Sequence, residues 1–299
     1  MQIFVTGATG WIGSAVVDRL LDAGHIVTGL ARSDASATAL ERTGALVRRG
    51  DLDDLGSLRA GAAAAEAVVH LANKHDFANP AGTNKAERDA VETLGTELID
   101  SHRPFVVASG LALLTPDQVV TTEKDPSPFH GVDTMRGGSE NLALEFADRG
   151  VGTIITRFAP TVHAQGDPGF LAGLVATARS KGVSAYVDDG AFRWAAIHRR
   201  DAARIVAAAL EKSAPAGTVL HATAETGIAT RDIAEAIGRG LDLPVVSIPA
   251  VRAGDHFGWL SKFIGTDMAA SSTATRALLG WNPEYPSLLE DLDSGRYFH

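Results

Sequence analysis

Apolar and polar positions follow two rhythms along this chain. Short apolar runs predict strands at 2–5, 26–30, 45–49, 67–71, 105–108 and 152–157. Between them, apolar residues recur three and four apart, which predicts helices at 11–23, 35–42, 55–63, 84–101 and 136–149, with Gly24 placed to end the first. Parallel strands need crossover connections, so this alternation implies an α/β fold with a doubly wound parallel sheet. After residue 157 the pattern loosens. Helices are expected at 170–180, 201–211 and 230–241, strands at 184–187, 219–222 and 245–248, and prolines break the chain at Pro249, Pro283 and Pro286. The expected division is a main domain over 1–159, completed by 200–213, and a smaller C-terminal lobe over 160–199 and 214–299.

Composition narrows the function classes. The 299 residues carry a formal charge of −9, and an acidic surface repels nucleic acid and anionic membrane, so neither is an expected partner. There is no cysteine, which removes disulfides, thiol nucleophiles and thiolate metal sites. The first residues lack the basic leader of a signal peptide, and no run approaches the roughly 20 apolar residues of a membrane span, so a cytoplasmic protein is expected. The histidines show no H-x-x-x-H pair, Asp188-Asp189 reads as a turn before Gly190, and G-x-S-x-G is missing. Neither a metal site nor a serine hydrolase is expected.

The informative motif is Thr6-Gly7-Ala8-Thr9-Gly10-Trp11-Ile12-Gly13. It follows a strand and opens a helix. Glycines allow a tight turn and close backbone approach, and a helix start offers free N–H groups and partial positive charge to a pyrophosphate. This is the signature of a Rossmann dinucleotide site, placing Gly7, Gly10 and Gly13 at the cofactor.

Further segments in the same order, Gly50-Asp51-Leu52, His70-Leu71-Ala72, the strand ending at Ser109, Ile197-His198-Arg199-Arg200-Asp201 and 278–281 before Pro283, complete a resemblance that covers nearly the whole chain. The chain resembles the extended and atypical short-chain dehydrogenases/reductases, similar to the NAD-dependent epimerases and dehydratases. The resemblance implies cofactor contacts at Trp11, Ile12, Asp51, Leu52, Leu71, Ala72, Asn73 and Pro160. It also implies a homodimer through helices 84–101 and 136–149, the first with a stripe of Ala86, Ala90, Leu94 and Leu98, the second with Leu142, Leu144 and Phe146. NAD-preferring relatives place an acid at the end of the second strand; here Ala31 stands there and Arg32 follows. Arg32 suits a ribose 2′-phosphate, so NADP(H) is the expected cofactor and NAD(H) the alternative. Asp34 is the residue that would neutralise Arg32.

The same resemblance exposes a departure. Most relatives use a tyrosine with a lysine four residues on, and alignment puts Val132 and Arg136 at those places. The expected replacements are Ser109 beside the substrate oxygen, Arg136 either bonding the nicotinamide ribose or stabilising an oxyanion as a fixed cation, and His75, with Asp76, as a proton relay in the loop 73–77. His163, Trp194 and His198 are substrate-pocket candidates, joined by Phe170, His256, Phe257 and Trp259. The reading is an NADP(H)-dependent oxidoreductase acting on a carbonyl or hydroxyl of a small molecule. The alternatives are a nucleotide-sugar epimerase or dehydratase, and a non-enzymatic NADP-binding sensor.

Overall fold

The computed structural model describes residues 1–76, 78–114 and 119–298. The first half alternates strands and helices: β1 (Gln2–Thr6), α1 (Trp11–Asp22), β2 (Ile26–Ala31), α2 (Asp34–Thr43), β3 (Leu46–Arg49), α3 (Leu55–Ala63), β4 (Ala67–His70), α4 (Pro80–Glu97), β5 (Pro104–Gly110), α5 (Ser139–Glu145) and β6 (Gly152–Phe158). The second half runs β7 (Thr161–His163), α6 (Phe170–Lys181), β8 (Ser184–Val187), β9 (Arg193–His198), α7 (Arg199–Glu211), β10 (Thr218–Ala222), β11 (Glu225–Ala229), α8 (Thr230–Leu241) and β12 (Val245–Ile248), then the short helices α9 (Ala253–Phe257), α10 (Ser261–Ile264), α11 (Thr273–Leu279) and α12 (Leu288–Asp293).

Seven strands form one parallel sheet in the order β10-β6-β5-β4-β1-β2-β3. This is a Rossmann-type α/β fold. Its inner strands are apolar on both faces because helices cover both. Val5, Val69, Val106, Ile154 and Leu220 pack with Val16, Leu20, Ile205 and Val206 of α1 and α7. Phe4, Val68, Val107 and Ile155 pack on the other face with Leu58, Val91, Leu94 and Leu142 of α3, α4 and α5. The order reverses between β1 and β4, and at such a switch point the strand ends open a crevice for ligands.

A second core holds the remaining elements. Leu171, Trp194, Ile233, Ile237, Phe257, Leu260 and Leu288 fill it, between a three-stranded sheet β11-β9-β7 and the pair β12-β8. No strand is expected at β7, β9 or β11 from the sequence pattern. Among the described residues, no helix is long and apolar enough to cross a membrane.

Three further departures from the sequence reading concern the main sheet and the helices packed on it. Residues 218–222, expected in the smaller lobe, form β10 on the edge of the main sheet, because Leu220 and Ala222 fill the α1–α7 core. The helix expected at 136–149 begins only at Ser139 and is followed by a separate 3-10 turn at Ala147–Arg149. The stripe Ala86, Ala90, Leu94 and Leu98, read as a dimer face, is buried within the chain, as are Leu142 and Phe146. Its apolar spacing serves packing on the sheet rather than an open face.

Candidate active site

The turn between β1 and α1 is shaped by backbone contact. Gly7 has φ +66°, and a Cβ there would lie 2.7 Å from the amide nitrogen of Ala72. A Cβ on Gly13 would lie 1.9 Å from the Gly7 carbonyl oxygen. Gly10 is the N-cap of α1 and has no side chain with which to cap it. The first N–H groups of a helix lack intrahelical partners and carry partial positive charge, so this uncapped start can receive an anionic group. The glycines let the turn close backbone against backbone with the helix start left uncapped, and the residues present fit the pyrophosphate of a dinucleotide.

The same turn meets the end of β4. Thr6 Oγ1 lies 2.8 Å from His70 Nδ1 and accepts the Ala72 N–H at 3.3 Å. Burial, then the charge of Arg136, pushes the His70 pKa down to about 3, so its imidazole is neutral. Leu71, Ala72 and Asn73 sit half-buried beside the turn, Leu71 and Ala72 being the residues that Gly7 approaches most closely. Trp11 donates its indole N–H to the Val162 carbonyl at 2.8 Å, beneath the Arg199 guanidinium. It therefore ties α1 to β7, while Ile12 sits half-buried beside the same core and Pro160 lies half-buried between β6 and β7.

Arg32 is exposed at the end of β2. Asp34 pairs with Arg49 and not with Arg32, which has no side-chain partner among the described residues. Asp51 is exposed and accepts the N–H groups of Asp53 and Asp54 at 2.8 and 3.0 Å, so its carboxylate shapes its own turn; Leu52 beside it is buried.

At the end of β5, Ser109 is 8% exposed. Its neighbour Ala108 accepts a hydrogen bond from Arg136 Nη2 at 3.0 Å. The same nitrogen pairs with Glu87, a fully buried carboxylate on α4. The other Glu87 oxygen accepts from the Asn73 amide, and Asn73 Oδ1 accepts the His75 backbone N–H at 2.8 Å. The structure thus joins Asn73, His75 and Arg136 through Glu87. Sequence reasoning missed Glu87. The available signal was a charge on the apolar stripe Glu87, Ala90, Val91, Leu94 of α4. Across the sheet, Arg157 stands opposite Ser109 but is held by Glu140 at 2.6 and 3.0 Å.

Arg136 reaches this position through an uncommon backbone. Arg136, Gly137 and Gly138 have φ of +53°, +62° and +63°, one turn of left-handed helix. L-residues avoid that conformation by about 1–2 kcal/mol each, glycine excepted. A Cβ on Gly137 would lie 2.4 Å from the Asn84 carbonyl oxygen. Arg88 of α4 donates to the Gly137 carbonyl at 3.0 Å and Asn84 to that of Thr134 at 2.8 Å, so α4 holds the turn. This turn replaces the right-handed helix that would place residues 132 and 136 on one face, and Val132 is exposed. His75 is also left-handed, at φ +50°. Partial burial, then the Arg136 charge, lowers its pKa below the ordinary 6.5. Phe77, at the end of the same loop, lies outside the described residues.

The remaining candidates take positions within or under the smaller lobe. His163 is fully buried, with Nδ1 3.0 Å from Asp291. Trp194 is fully buried in the lobe core against Phe170, ring centres 5.5 Å apart. His198 caps α7 through the Arg200 N–H and stacks on Tyr285 at 4.9 Å; burial, then His163, lowers its pKa to about 4. His256 packs edge-on to the buried Phe257. Trp259, 51% exposed, lies over Phe170 at 5.6 Å. Among the described residues, no group of three or more His, Asp or Glu converges to hold a metal.

Comparison with known proteins bears on the family and the fold. The model of the NAD dependent epimerase/dehydratase family matches residues 3–134. The uncharacterized protein C2A9.02 of Schizosaccharomyces pombe is 42% identical over 298 residues, 100% of each chain. A 4-hydroxy-2-methyl-3-oxo-4-farnesyl-3,4-dihydroquinoline-1-oxide ketoreductase of Stigmatella aurantiaca is 26% identical, over 86% of this chain and 80% of its own. Among solved structures, the UDP-glucose 4-epimerase of Thermotoga maritima superposes with a TM-score of 0.76 at 22% identity, covering 100% of this chain and 98% of its own. The chain belongs to the NAD-dependent epimerase/dehydratase family, with the short-chain dehydrogenase/reductase type of fold.

Proposed function

We propose that this protein is an NADP(H)-dependent oxidoreductase acting on a carbonyl or hydroxyl group of a small organic molecule. The observation that carries the reading is the Arg136 guanidinium bonded to the Ala108 carbonyl beside Ser109, on the strand next to the one that meets the glycine turn. The likeness to a ketoreductase supports a reductase over the other chemistries of the family.

Gly7, Gly10 and Gly13 would hold the pyrophosphate, and Leu71, Ala72 and Asn73 would flank the cofactor. Arg32, unpaired while Asp34 is bound to Arg49, would receive a 2′-phosphate in a charge-assisted contact. A bound nicotinamide cofactor would supply the hydride chemistry. The chain's own part is electrostatic. Ser109 donates a hydrogen bond to the substrate oxygen, and Arg136, as a fixed cation, stabilises the negative charge that develops there. Neither is a good acid at neutral pH, so the proton comes from His75 in its charged form or from water. The lowered pKa of His75 leaves that form scarce at pH 7. A positioned general acid contributes roughly 100- to 10,000-fold, so such an enzyme turns over more slowly than one with the tyrosine–lysine pair.

A panel of aliphatic and aromatic aldehydes and ketones tests the reading, with NADPH and NADH compared by loss of cofactor absorbance. Reduction with NADPH, weakened by Ser109→Ala and by Arg136→Ala, is the expected result. Tight NADPH binding without turnover of any carbonyl would favour a sensor instead.

A further inference from the structure

Glu87 has no assigned role in this reaction, yet it touches both sides of the proposed site. It is fully buried, and each carboxylate oxygen has a different partner: Oε1 the Arg136 guanidinium, Oε2 the Asn73 amide. Those partners belong to separate loops. Asn73 holds the backbone N–H of His75, and Arg136 holds the carbonyl next to Ser109. Both His75 and Arg136 have left-handed backbones, a conformation that persists only where surrounding contacts impose it. A buried carboxylate is costly unless paired and hydrogen-bonded on both oxygens, so a purely structural position on this apolar helix stripe would be better filled by leucine or methionine.

We infer that Glu87 is a positioning residue that locks the guanidinium of Arg136 to the end of β5 and the Asn73–His75 loop to the same point. It does not touch the reacting atoms; it acts through Arg136 and Asn73. Proper placement matters because a fixed cation stabilises developing charge only if it does not have to reorganise during the reaction. An arginine that swings free still carries its charge but loses that advantage.

The inference rests on the oxidoreductase reading, so its test includes a measurement that needs no turnover. Phenylglyoxal reacts with accessible guanidinium groups, and mass spectrometry reads its addition to Arg136 in the full chain with NADPH present. In Glu87→Gln, labelling of Arg136 is expected to rise at least about threefold, while labelling of the distant Arg239 stays constant. Unchanged Arg136 labelling in a folded Glu87→Gln protein overturns the inference, whatever the enzyme does. With a carbonyl substrate in hand, kcat should fall about 10- to 100-fold, the loss expected when a preorganised charge is loosened, with KM and the NADPH Kd within about threefold. Loss of kcat and NADPH affinity together overturns a positioning role. Should Glu87→Gln fail to fold, Asn73→Ala breaks the same network at its half-exposed end, and wild-type kcat and labelling in that variant would also overturn the inference. Absence of turnover in the unaltered protein, with labelling behaving as expected, would instead count against the oxidoreductase reading alone.

Discussion

Two glycine-rich turns lead into helices on this chain, and they work in opposite ways. In the turn from Gly7 to Gly13 the glycines remove side chains so that backbone can approach backbone, and a right-handed helix follows at once. Nothing outside β1, α1 and the end of β4 is needed to explain its shape. In the turn from Arg136 to Gly138 the glycines supply a backbone conformation that other residues avoid, and the helix starts only after it. That shape depends on Asn84, Arg88 and Glu87, about 50 residues earlier in the chain. The first turn fits an anion with N–H groups. The second holds a cation on a defined backbone atom. Both are held by segments distant in sequence, but only the first is announced by the spacing of its own residues.

If this contrast is right, Gly13→Ala has the largest effect on cofactor binding. Its Cβ would meet the Gly7 carbonyl, backbone against backbone, and overpacking of this kind costs about 1–3 kcal/mol of stability. NADPH affinity, read by fluorescence titration, is expected to fall by roughly 100-fold or more, equivalent to about 3 kcal/mol. Tight NADPH binding by Gly13→Ala would break the assignment of this turn.

Gly137→Ala tests the second turn and should leave the first alone. Its Cβ would meet the Asn84 carbonyl at a left-handed φ, so the turn must shift and carry Arg136 with it. Carbonyl reduction is expected to fall by about 100- to 1,000-fold, as when an oxyanion-stabilising donor is removed, with NADPH Kd within about threefold. Steady-state rates and titrations on the same preparation measure both. Equal loss of rate and of NADPH affinity would mean that the two turns are not independent.

Arg32→Asp sharpens cofactor choice. A hydrogen bond to a charged group contributes about 1.5–3 kcal/mol, so NADPH affinity should fall roughly 10- to 100-fold while NADH affinity changes little. Equal affinity of the unaltered protein for both cofactors would remove the NADP(H) preference.

The smallest expected effect is a pH dependence. The His75 pKa is lowered, so its charged form is lost as pH rises through a value below 6.5. If that form donates the proton, the rate declines with rising pH in the acid range and levels off above it, by about a few-fold in total, well below the roughly 100-fold or more that a well-matched general acid supplies. A rate–pH profile for His75→Ala that matches the unaltered protein would leave water as the donor.

Much of the Rossmann half was legible because its signals are local. Strands β1, β2, β4, β5 and β6 are short apolar runs, and the glycine turn sits where strand period gives way to helix period. The position of Ser109 near the end of β5 follows from the apolar run before it. The second half was less so. Strand β9, Arg193–His198, begins with a charge and ends with a histidine, and its pairing with β7 and β11 comes from residues distant in sequence. His163 and His198 suggested a pocket because histidines often do chemistry, yet here one pairs with Asp291 of α12 and the other caps α7.

The sequence by itself determined the alternating architecture, the glycine cradle and the absence of a tyrosine–lysine pair, because each is a matter of residue type at fixed spacing. Only the tertiary structure decided which side chains meet at the end of β5. Arg136 looked like the start of a helix, and Glu87 like one more charge on a helix with many. Their meeting is set by how α4 packs on the sheet and by the left-handed turn that α4 grips, and contacts between residues 49 apart leave no periodic trace in a chain.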